Sequence, residues 1–556
     1  MSKNMRRALR MEANREVNSV SAKAQGAFLA LAAGDALGWP QELSGKVIGI
    51  RNYDAAAGNF RDWTRRCGGR FWSHKELIRG GEYSDDTQLV LAVARSRTDY
   101  GDSWWQAFTR VELPFWTHYQ RGGGGATRRA ARAWLQGAFP WTSPKLVKRY
   151  FNAGGNGVAM RILPHVLFLI QDANCATLMR DVVRDGITTH GHPRALIGAT
   201  AYAYAAWYLL SLQRTLRFGE LLDALIEEKD AWGSFPKKSE GGNTSWLAVA
   251  NTVEERPYKE VWENTVSEML ELLDIARQGL RRGAIADDYA IMRGLGSFSK
   301  SKGAGTVTCA TATYLAARYA SQPQQGILAA AFAKGADTDT LASMTGGLMG
   351  CLAGYEWLPR MWLNVQDAEY LKNIAARVAM GPRGAHSRPV DTIKFRGGNW
   401  LYRTLRTDGR ADIGGSRQIQ VEKTRHLTTF RKELQVLVWQ SKAEDGQTLF
   451  VKEYSLPGRV RIEHSDSYKK VQALPVPKEQ ANVLYSTFCR ELQEILRCTG
   501  ALKVAEIRDR LGLVQSQSNT WLDKAVKDGH IELTQHRPKK YGLSMQEGQI
   551  ELFASE

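Results

Sequence analysis

The chain has 556 residues, of which 43% are hydrophobic and 24% are charged, and its formal net charge is +18. This composition is typical of a folded globular protein, and at about 150 residues per domain the length predicts two to four domains. No apolar stretch approaches the roughly twenty residues that cross a bilayer, and no apolar segment follows the basic start, so neither a membrane span nor a signal peptide is expected.

The positive charge favours an anionic ligand or a polyanionic partner. The six cysteines show none of the close pairings of a metal site or a disulfide scaffold, which predicts free thiols and a cytoplasmic location. They are Cys67, Cys175, Cys309, Cys351, Cys489 and Cys498.

Residues 1–21 form a basic extension, and residues 22–385 predict a mainly α-helical domain. Apolar positions at helical spacing predict its helices, several of them apolar on all sides and therefore buried. The predicted helices cover residues 26–37, 87–97, 159–171, 192–212, 307–319 and 341–354.

Two acidic clusters lie far apart in the chain: residues 84–87 read Ser-Asp-Asp-Thr and residues 337–340 read Asp-Thr-Asp-Thr. Each would deliver several oxygen ligands from a helix N-terminus, as magnesium requires, and adjacent carboxylates repel unless a cation lies between them. Either cluster alone also fits a helix cap. Zinc is a poorer fit, because the chain has neither a C-x-x-C pair nor an H-E-x-x-H motif. Together the clusters predict a magnesium site.

Three glycine-rich loops connect the predicted helices, at residues 122–125, 154–157 and 296–305. Glycine in any one of them is compatible with a simple turn at positive φ. Glycine also lets backbone N–H groups approach a phosphate, so three such loops in one helical domain suggest a phosphate-bearing ligand.

The pattern changes near residue 386. Residues 386–475 predict a β-rich module, with strands over 434–439 and 448–454 and a further alternating run at 459–462. Residues 476–556 predict helices over 503–511 and 516–527, a short turn at 512–513 between them, and then a basic hairpin. This order resembles a winged helix-turn-helix module.

In such a module the second helix would enter the major groove and the hairpin would contact the backbone. The candidate nucleic-acid contacts are Gln517, Asn519, Arg537, Lys539 and Lys540. A winged helix that binds protein remains the alternative, because the candidate recognition helix balances its two lysines with two aspartates.

The motifs of the helical region follow a recognisable order. They are Gly34–Gly38 with Glu42, Ser84–Thr87, Gly122–Gly125, Gly155–Arg161, Thr189–His192 and Gly335–Thr340. This set resembles the ADP-ribosylglycohydrolase family over about residues 22–380. The resemblance implies an orthogonal all-α bundle with two magnesium ions, replaced by manganese in some members, at the base of an ADP-ribose cleft.

By position, the resemblance implies the metal ligands Ser84, Asp85, Asp86, Asp337, Asp339 and Thr340. The residues implied to hold the diphosphate and ribose are Gly122, Gly123, Gly124, Gly125, Gly154, Gly155, Asn156, Gly157 and His190. Glu42 matches an acidic residue near the scissile ribose. Asp35 has the simpler alternative of supporting the end of its helix.

Cleavage at the anomeric carbon of ribose needs an activated water and fixed ribose hydroxyls, which two bridged cations can provide. Asp85 or Asp86 would accept the proton, or Glu42 would act as acid and base, and the sequence leaves this choice open. The expected function is magnesium-dependent removal of ADP-ribose from a macromolecule. The alternatives are a glycosidase effector that consumes NAD or a related nucleotide, and an ADP-ribose-sensing DNA-binding regulator. Neither the acceptor nor the oligomeric state follows from the sequence.

Overall fold

A computed structural model describes most of the chain. The described residues are 3–42, 49–50, 58–69, 71–172, 174–236, 244–253, 256–386, 388, 390, 397–413, 417–431, 433–456, 478–511, 515–536 and 539–543.

Helices dominate the described part of the chain. In order they are α1 (Lys3–Glu42), α2 (Asp85–Tyr100), α3 (Trp104–Ala107), α4 (Leu113–Tyr119), α5 (Gly125–Leu135), α6 (Val147–Phe151), α7 (Leu163–Leu169), α8 (Cys175–Gly186), α9 (Pro193–Ser211), α10 (Glu220–Glu227), α11 (Lys229–Gly233), α12 (Thr244–Val253), α13 (Tyr258–Arg281), α14 (Asp288–Gly294), α15 (Gly305–Arg318), α16 (Pro323–Ala331), α17 (Thr338–Ala353), α18 (Ala368–Ala379), α19 (Gly397–Thr407), α20 (Lys478–Thr499), α21 (Val504–Leu511) and α22 (Gln515–Lys527).

Within the described residues, the strands form four small sheets. They are β1 (Gly49–Ile50), β2 (Trp63–Cys67), β3 (His74–Ile78), β4 (Ala333–Lys334), β5 (Arg410–Asp412), β6 (Gln418–His426), β7 (Gln435–Ala443), β8 (Thr448–Ser455), β9 (Leu502–Lys503), β10 (Ile531–His536) and β11 (Lys539–Leu543). The sheet orders are β1-β4, β2-β3, β5-β6-β7-β8 and β10-β11-β9.

The predicted helix over residues 159–171 is interrupted. A 3₁₀ turn at Ala159–Arg161 precedes α7, and a second 3₁₀ turn follows it at Ile170–Asp172. Pro164 lies at the start of α7, and because proline lacks a backbone N–H it fits a first turn rather than a helix interior. The other five predicted helices of the bundle each lie within or close to one observed helix.

Helices α1 and α17 pack at very short range through small residues. A Cβ built on Gly34 would lie 2.3 Å from the carbonyl oxygen of Ala342, and one built on Gly38 would lie 2.2 Å from that of Thr338. Gly350 makes an equally close approach to Ala27. Any larger side chain would push the helices apart, so these glycines fix the end of α1 against the start of α17.

Chain contacts divide the protein into two compact units. The first contains residues 1–394 and 401–459, so the antiparallel sheet β5–β8 lies in the same unit as the helical bundle. The predicted strands at 434–439 and 448–454 are confirmed as β7, which begins one residue later at Gln435, and as part of β8. The alternating run at 459–462 lies outside the described residues.

The second unit contains residues 395–400 and 460–556. Within it α20, β9, α21, α22 and the β10–β11 hairpin enclose a small apolar core that includes Leu492, Ile507, Leu522 and Ile531. Asn519 and Lys539 are exposed and Lys540 is half-buried. Gln517 lies in α22, whereas the turn at 512–513 and Arg537 lie outside the described residues.

No helix within the described ranges is long and apolar enough to cross a bilayer. The described cysteines Cys67, Cys175, Cys309, Cys351 and Cys489 are free thiols.

Candidate functional site

The first acidic cluster forms the N-terminus of α2. Ser84 is the N-cap, and its hydroxyl accepts a hydrogen bond from the Asp86 N–H at 3.3 Å. The buried Asp35 carboxylate, from α1, accepts hydrogen bonds from the Ser84 N–H at 3.0 Å and from the Thr87 hydroxyl at 2.7 Å. Asp35 therefore holds the N-terminus of α2, which leaves the neighbouring carboxylates free to point elsewhere.

The second cluster lies at the N-terminus of α17 and meets the first. The Thr338 hydroxyl donates to the Gly38 carbonyl at 2.8 Å, which anchors α17 to α1. The Thr340 hydroxyl donates to Asp86 Oδ2 at 3.3 Å, although the two residues are 254 positions apart. The fold thus brings together the two clusters that the sequence singled out.

Glu42 joins this group from the end of α1. Its side chain is exposed, and it offers a carboxylate oxygen within 4.8 Å of oxygens from Asp337 and Asp339. Three segments of chain therefore contribute acids to one small volume: the end of α1 and the starts of α2 and α17.

The cluster carries more negative charge than its protein surroundings neutralise. Burial, reinforced by the nearby Asp35, raises the pKa of Asp85 to about 7. Burial, followed by Glu42 and Asp337, raises the pKa of Asp339 well above its usual range, and burial with Asp35 and Asp85 does the same for Asp86. Asp86 Oδ1 is buried and has no hydrogen-bond partner among the described residues. An unpartnered oxygen amid buried carboxylates fits a hard divalent cation.

The four-glycine loop approaches this cluster from the side of α5. Gly122 has φ +108°, and a Cβ built there would lie 2.6 Å from Asp85 Oδ1. Gly123 lies against the Trp116 ring, where a Cβ would meet ring carbon at 2.5 Å. Gly124 and Gly125 are exposed at the first turn of α5. Close packing at the first two positions requires glycine, and the other two leave backbone N–H groups accessible.

The second glycine loop reaches the cluster through an amide. Asn156 Nδ2 donates to Asp337 Oδ2 at 2.8 Å, and the Asn156 backbone N–H donates to the Gly303 carbonyl at 2.9 Å. Gly155 forms a β-bridge with Ala304. The loops at 154–157 and 296–305 are therefore joined, and both border Asp337.

His190 lies beneath the second loop. Its Nδ1 lies 2.7 Å from the Thr189 hydroxyl, and a Cβ on Gly157 would lie 3.0 Å from its ring. A Cβ on Gly154 would lie 3.2 Å from the His192 ring. Burial, aided by Arg161, lowers the pKa of His190 to about 3, so the imidazole is neutral at physiological pH.

The sequence did not single out the cationic residues beside the acids. Arg65, on β2, lies with its guanidinium 5.2 Å from the Trp39 ring centroid. Lys302 donates from Nζ to the carbonyl of Gly335 at 3.1 Å, immediately before the second cluster. The only indication in the sequence that a cation lies beside the acids was the position of Lys302 in a glycine-rich loop.

Arg121 precedes the four-glycine loop directly and is fully buried. Its guanidinium contacts Glu76 at 3.2 Å and Glu82 at 2.7 Å, and it lies 4.0 Å from the Phe450 ring centroid on β8. Lys452, also on β8, donates to Glu76 Oε2 at 2.6 Å. The first glycine loop is thus tied to the β-sheet through one buried ionic network.

Cys67, His74 and Glu76 form a second group with oxygen, nitrogen and sulfur atoms within 4.8 Å of one another. Glu76 is already ion-paired with Lys452 and Arg121, whose charges oppose a bound cation. Burial raises the pKa of Cys67 to about 11, so it is a neutral thiol. This group is part of the ionic network rather than a metal site.

The family model for ADP-ribosylglycohydrolase matches residues 16–388. A solved structure described as an ADP-ribosylglycohydrolase-related protein complex is similar to this chain at 20% identity, covering 65% of this chain and 99% of that one, with a TM-score of 0.39. A search of curated proteins found no match. With more than half of its length matched by the family model, the chain belongs to the ADP-ribosylglycohydrolase family and is a hydrolase of glycosidic bonds.

Proposed function

We propose that the protein removes ADP-ribose from a modified macromolecule by magnesium-dependent hydrolysis at the anomeric carbon of the ribose. The observation that carries this proposal is the contact between the two acidic clusters, through Thr340 and Asp86, around a buried carboxylate oxygen that no described residue satisfies. Family membership supports the ADP-ribosyl group as the part of the substrate that is recognised.

Six residues would hold two magnesium ions, or manganese in their place: Ser84, Asp85, Asp86, Asp337, Asp339 and Thr340. Bound cations at this position would supply Lewis acidity, gripping the vicinal ribose hydroxyls and lowering the pKa of a water. Asn156 fixes the orientation of Asp337 through its amide hydrogen bond. Asp35 fixes the first turn of α2.

Three carboxylates are candidates for moving protons. Asp85 or Asp86 would take the proton of the attacking water, or Glu42 would act as acid and base across the site. Glu42 suits contact with a macromolecular substrate because it is exposed, whereas both aspartates are buried. The backbone N–H groups of the exposed residues Gly124 and Gly125 would bind the diphosphate, helped by the positive end of the α5 dipole. Gly154, Gly155, Gly157 and neutral His190 would line the ribose side.

Two alternative functions would use the same cleft: consumption of free NAD or a related nucleotide by an effector of a defence or toxin system, and ADP-ribose sensing coupled to DNA binding. The decisive experiment incubates the pure full-length protein with magnesium and, separately, ADP-ribosylated arginine, serine or DNA, and NAD. Release of ADP-ribose from a macromolecular acceptor supports the proposed removal of ADP-ribose from a modified macromolecule. Loss of NAD alone supports the effector. Ligand-dependent DNA affinity without any product supports the regulator.

We also propose that residues 476–556 form a winged helix that docks the enzyme on nucleic acid. The order α21, α22 and hairpin, with the sheet order β10-β11-β9, supports this fold. Asn519 and Lys539 are exposed as such contacts require, and Gln517, Arg537 and Lys540 complete the proposed interface. A protein partner remains the alternative.

The free cysteines support a cytoplasmic location.

A further inference from the structure

The segment between Glu112 and Asp172 contains no acidic residue. Its eight basic residues are Arg121, Arg128, Arg129, Arg132, Lys145, Lys148, Arg149 and Arg161. The fold uses some of these internally: Arg121 pairs with two glutamates, and Arg161 pairs with Asp185 at 2.7 Å. The other six basic residues have no such ion pair with a described residue that would explain their presence in this segment.

Four of the remaining arginines form what we call the α5 basic edge: Arg128, Arg129, Arg132 and Arg149. Arg128 and Arg132 are exposed one turn apart on α5. Arg129 and Arg149 line a pocket whose wall also includes Tyr150 and Thr189.

The α5 basic edge has no acidic counterpart in the described part of the chain. None of its four side chains makes a hydrogen bond or ion pair with a described residue, whereas the nearby Arg95 pairs with Glu112 at 2.6 Å. Partial burial, and then the charges of Arg149 and Arg128, lower the pKa of Arg129. Like charges held together without a partner repel each other, and an anionic ligand would relieve that repulsion.

The α5 basic edge is continuous with the candidate ADP-ribose cleft. Helix α5 begins inside the four-glycine loop, and Arg129 Nη1 lies 3.0 Å from the position of a Cβ on Gly125. Thr189, in the pocket wall, adjoins His190 in the cleft. From Gly125 to Arg132 the helix rises only about 10 Å at 1.5 Å per residue. One polyanionic ligand could therefore occupy both places.

Half-buried aromatic rings lie at the end of the same helix, where Trp134 follows Arg132 on α5 and contacts other rings. The Trp105 and Trp134 ring centroids are 5.7 Å apart, Phe139 lies 5.2 Å from Trp134, and the Arg184 guanidinium lies 5.2 Å from the Trp105 ring. Arginines for phosphates and nearby aromatic faces for bases are the combination that binds single-stranded nucleic acid. An acidic peptide would use the charges but not the rings.

We propose that the α5 basic edge binds the phosphodiester backbone of a single-stranded nucleic acid, so that the modified macromolecule is an ADP-ribosylated nucleic acid strand. The binding part stands by itself, and the substrate part rests on the proposed function. The catalytic unit would then select its substrate directly, in addition to any docking by the C-terminal unit.

The test compares two charge reversals in the full-length protein, both made in a Lys539→Ala/Lys540→Ala background that weakens C-terminal contacts. One is Arg128→Glu/Arg132→Glu. The matched control is Arg281→Glu/Arg282→Glu, which changes the net charge equally at two exposed arginines at the end of α13. Fluorescence anisotropy follows the binding of an unmodified single-stranded 20-nucleotide probe over a salt series.

We expect the first variant to bind about tenfold more weakly, and its log-log salt slope to fall by about 1.4, since each lost phosphate contact contributes about 0.7 for a single strand. The control should stay within about twofold of its background. Equal losses in both variants, or none in either, would overturn the proposal, as would equal competition by polyglutamate.

A second measurement addresses the substrate. The ratio of kcat/KM for an ADP-ribosylated oligonucleotide to that for ADP-ribosylated arginine should fall about tenfold in Arg128→Glu/Arg132→Glu and stay constant in the control. A constant ratio in both would overturn the substrate assignment. If the protein cleaves no ADP-ribosyl substrate but probe binding still depends on the two arginines, the proposed function fails and the nucleic-acid surface stands.

Discussion

Gly122 shows how one residue controls the candidate site. Its φ of +108° is unfavourable for any other residue, and the space that a Cβ needs is taken by Asp85 Oδ1. We expect Gly122→Ala to displace Asp85, to lower the free energy of unfolding by about 1–3 kcal/mol and to remove most of the hydrolytic activity. Chemical denaturation and a magnesium titration would measure both effects.

Two other glycines distinguish the effect of positive φ from the effect of the contact with Asp85. Gly124 lies in the same loop with φ −61° and no atom within 4 Å of a built Cβ. Gly124→Ala should therefore lose much less stability and activity than Gly122→Ala. Gly137 has positive φ but equally open space, so Gly137→Ala reports backbone strain alone. If Gly122→Ala matches Gly137→Ala in stability and keeps its magnesium affinity, the contact with Asp85 is irrelevant.

Asp339 tests the metal assignment. Asp339→Asn should abolish turnover, because Asp339 is one of the six proposed metal ligands. The fold should stay intact, because the change removes a carboxylate that is buried beside other acids. Without metal the variant should have a higher Tm than the native protein, since one repelling charge is gone, and magnesium should then raise that Tm much less. Asp102→Asn, at an exposed residue remote from the cluster in sequence, is the control. Undiminished activity in Asp339→Asn would refute the assignment.

At the scale of elements, β8 and the β2–β3 hairpin are joined by a buried charge cluster. Lys452 and Arg121 both contact Glu76, which is fully buried. Lys452→Met should destabilise the first unit by about 3 kcal/mol or more, because a buried charge loses one partner. Adding Glu76→Gln should recover part of that loss. Denaturant unfolding of Lys452→Met, Glu76→Gln and the double variant measures the coupling, and strict additivity would argue against it.

Asp445, in the β7–β8 turn, makes the same unit sensitive to acid. Although burial opposes ionisation, Arg417 at 2.8 Å and the nearby Arg95 hold the pKa of Asp445 at about 2. A depressed carboxyl pKa stabilises the fold above about pH 4, and this contribution is lost as the pH falls towards 2. We expect the wild-type advantage over Asp445→Asn, about 2 kcal/mol at neutral pH, to shrink across that window. An unchanged difference at pH 2.5 would contradict this.

At the scale of the whole molecule, the sheet β5–β8 belongs to the unit that holds the candidate site. Arg95, on α2, donates to Gln447 at 2.9 Å, and Asp367 accepts from the Thr448 N–H at 2.7 Å. A chain ending after residue 459 should therefore unfold cooperatively and keep hydrolytic activity, whereas one ending after residue 394 should not fold. Calorimetry and proteolysis would distinguish them. Stable, active protein from the shorter chain would show that the sheet is dispensable.

Local patterns in the sequence were sufficient to predict many of the helices and strands and the two acidic clusters. Apolar spacing predicted most bundle helices and the strands β7 and β8, because each depends mainly on its own residues. The clusters at 84–87 and 337–340 were recognisable because they combine several oxygen ligands at a helix start. The break at Pro164 and the joining of the second and third glycine loops through Gly155 and Ala304 were not predicted. These depend on packing partners distant in the chain.

The sequence alone determined which short segments concentrate oxygen-bearing side chains and where the helices that present them begin, since residue type and helix capping are local properties. Only the tertiary structure decided that Thr340 meets Asp86, that Asp35 supports α2 instead of joining the cluster, and that Arg121 and Lys452 tie the glycine loop to a distant sheet. Each of these contacts joins segments that lie far apart along the chain.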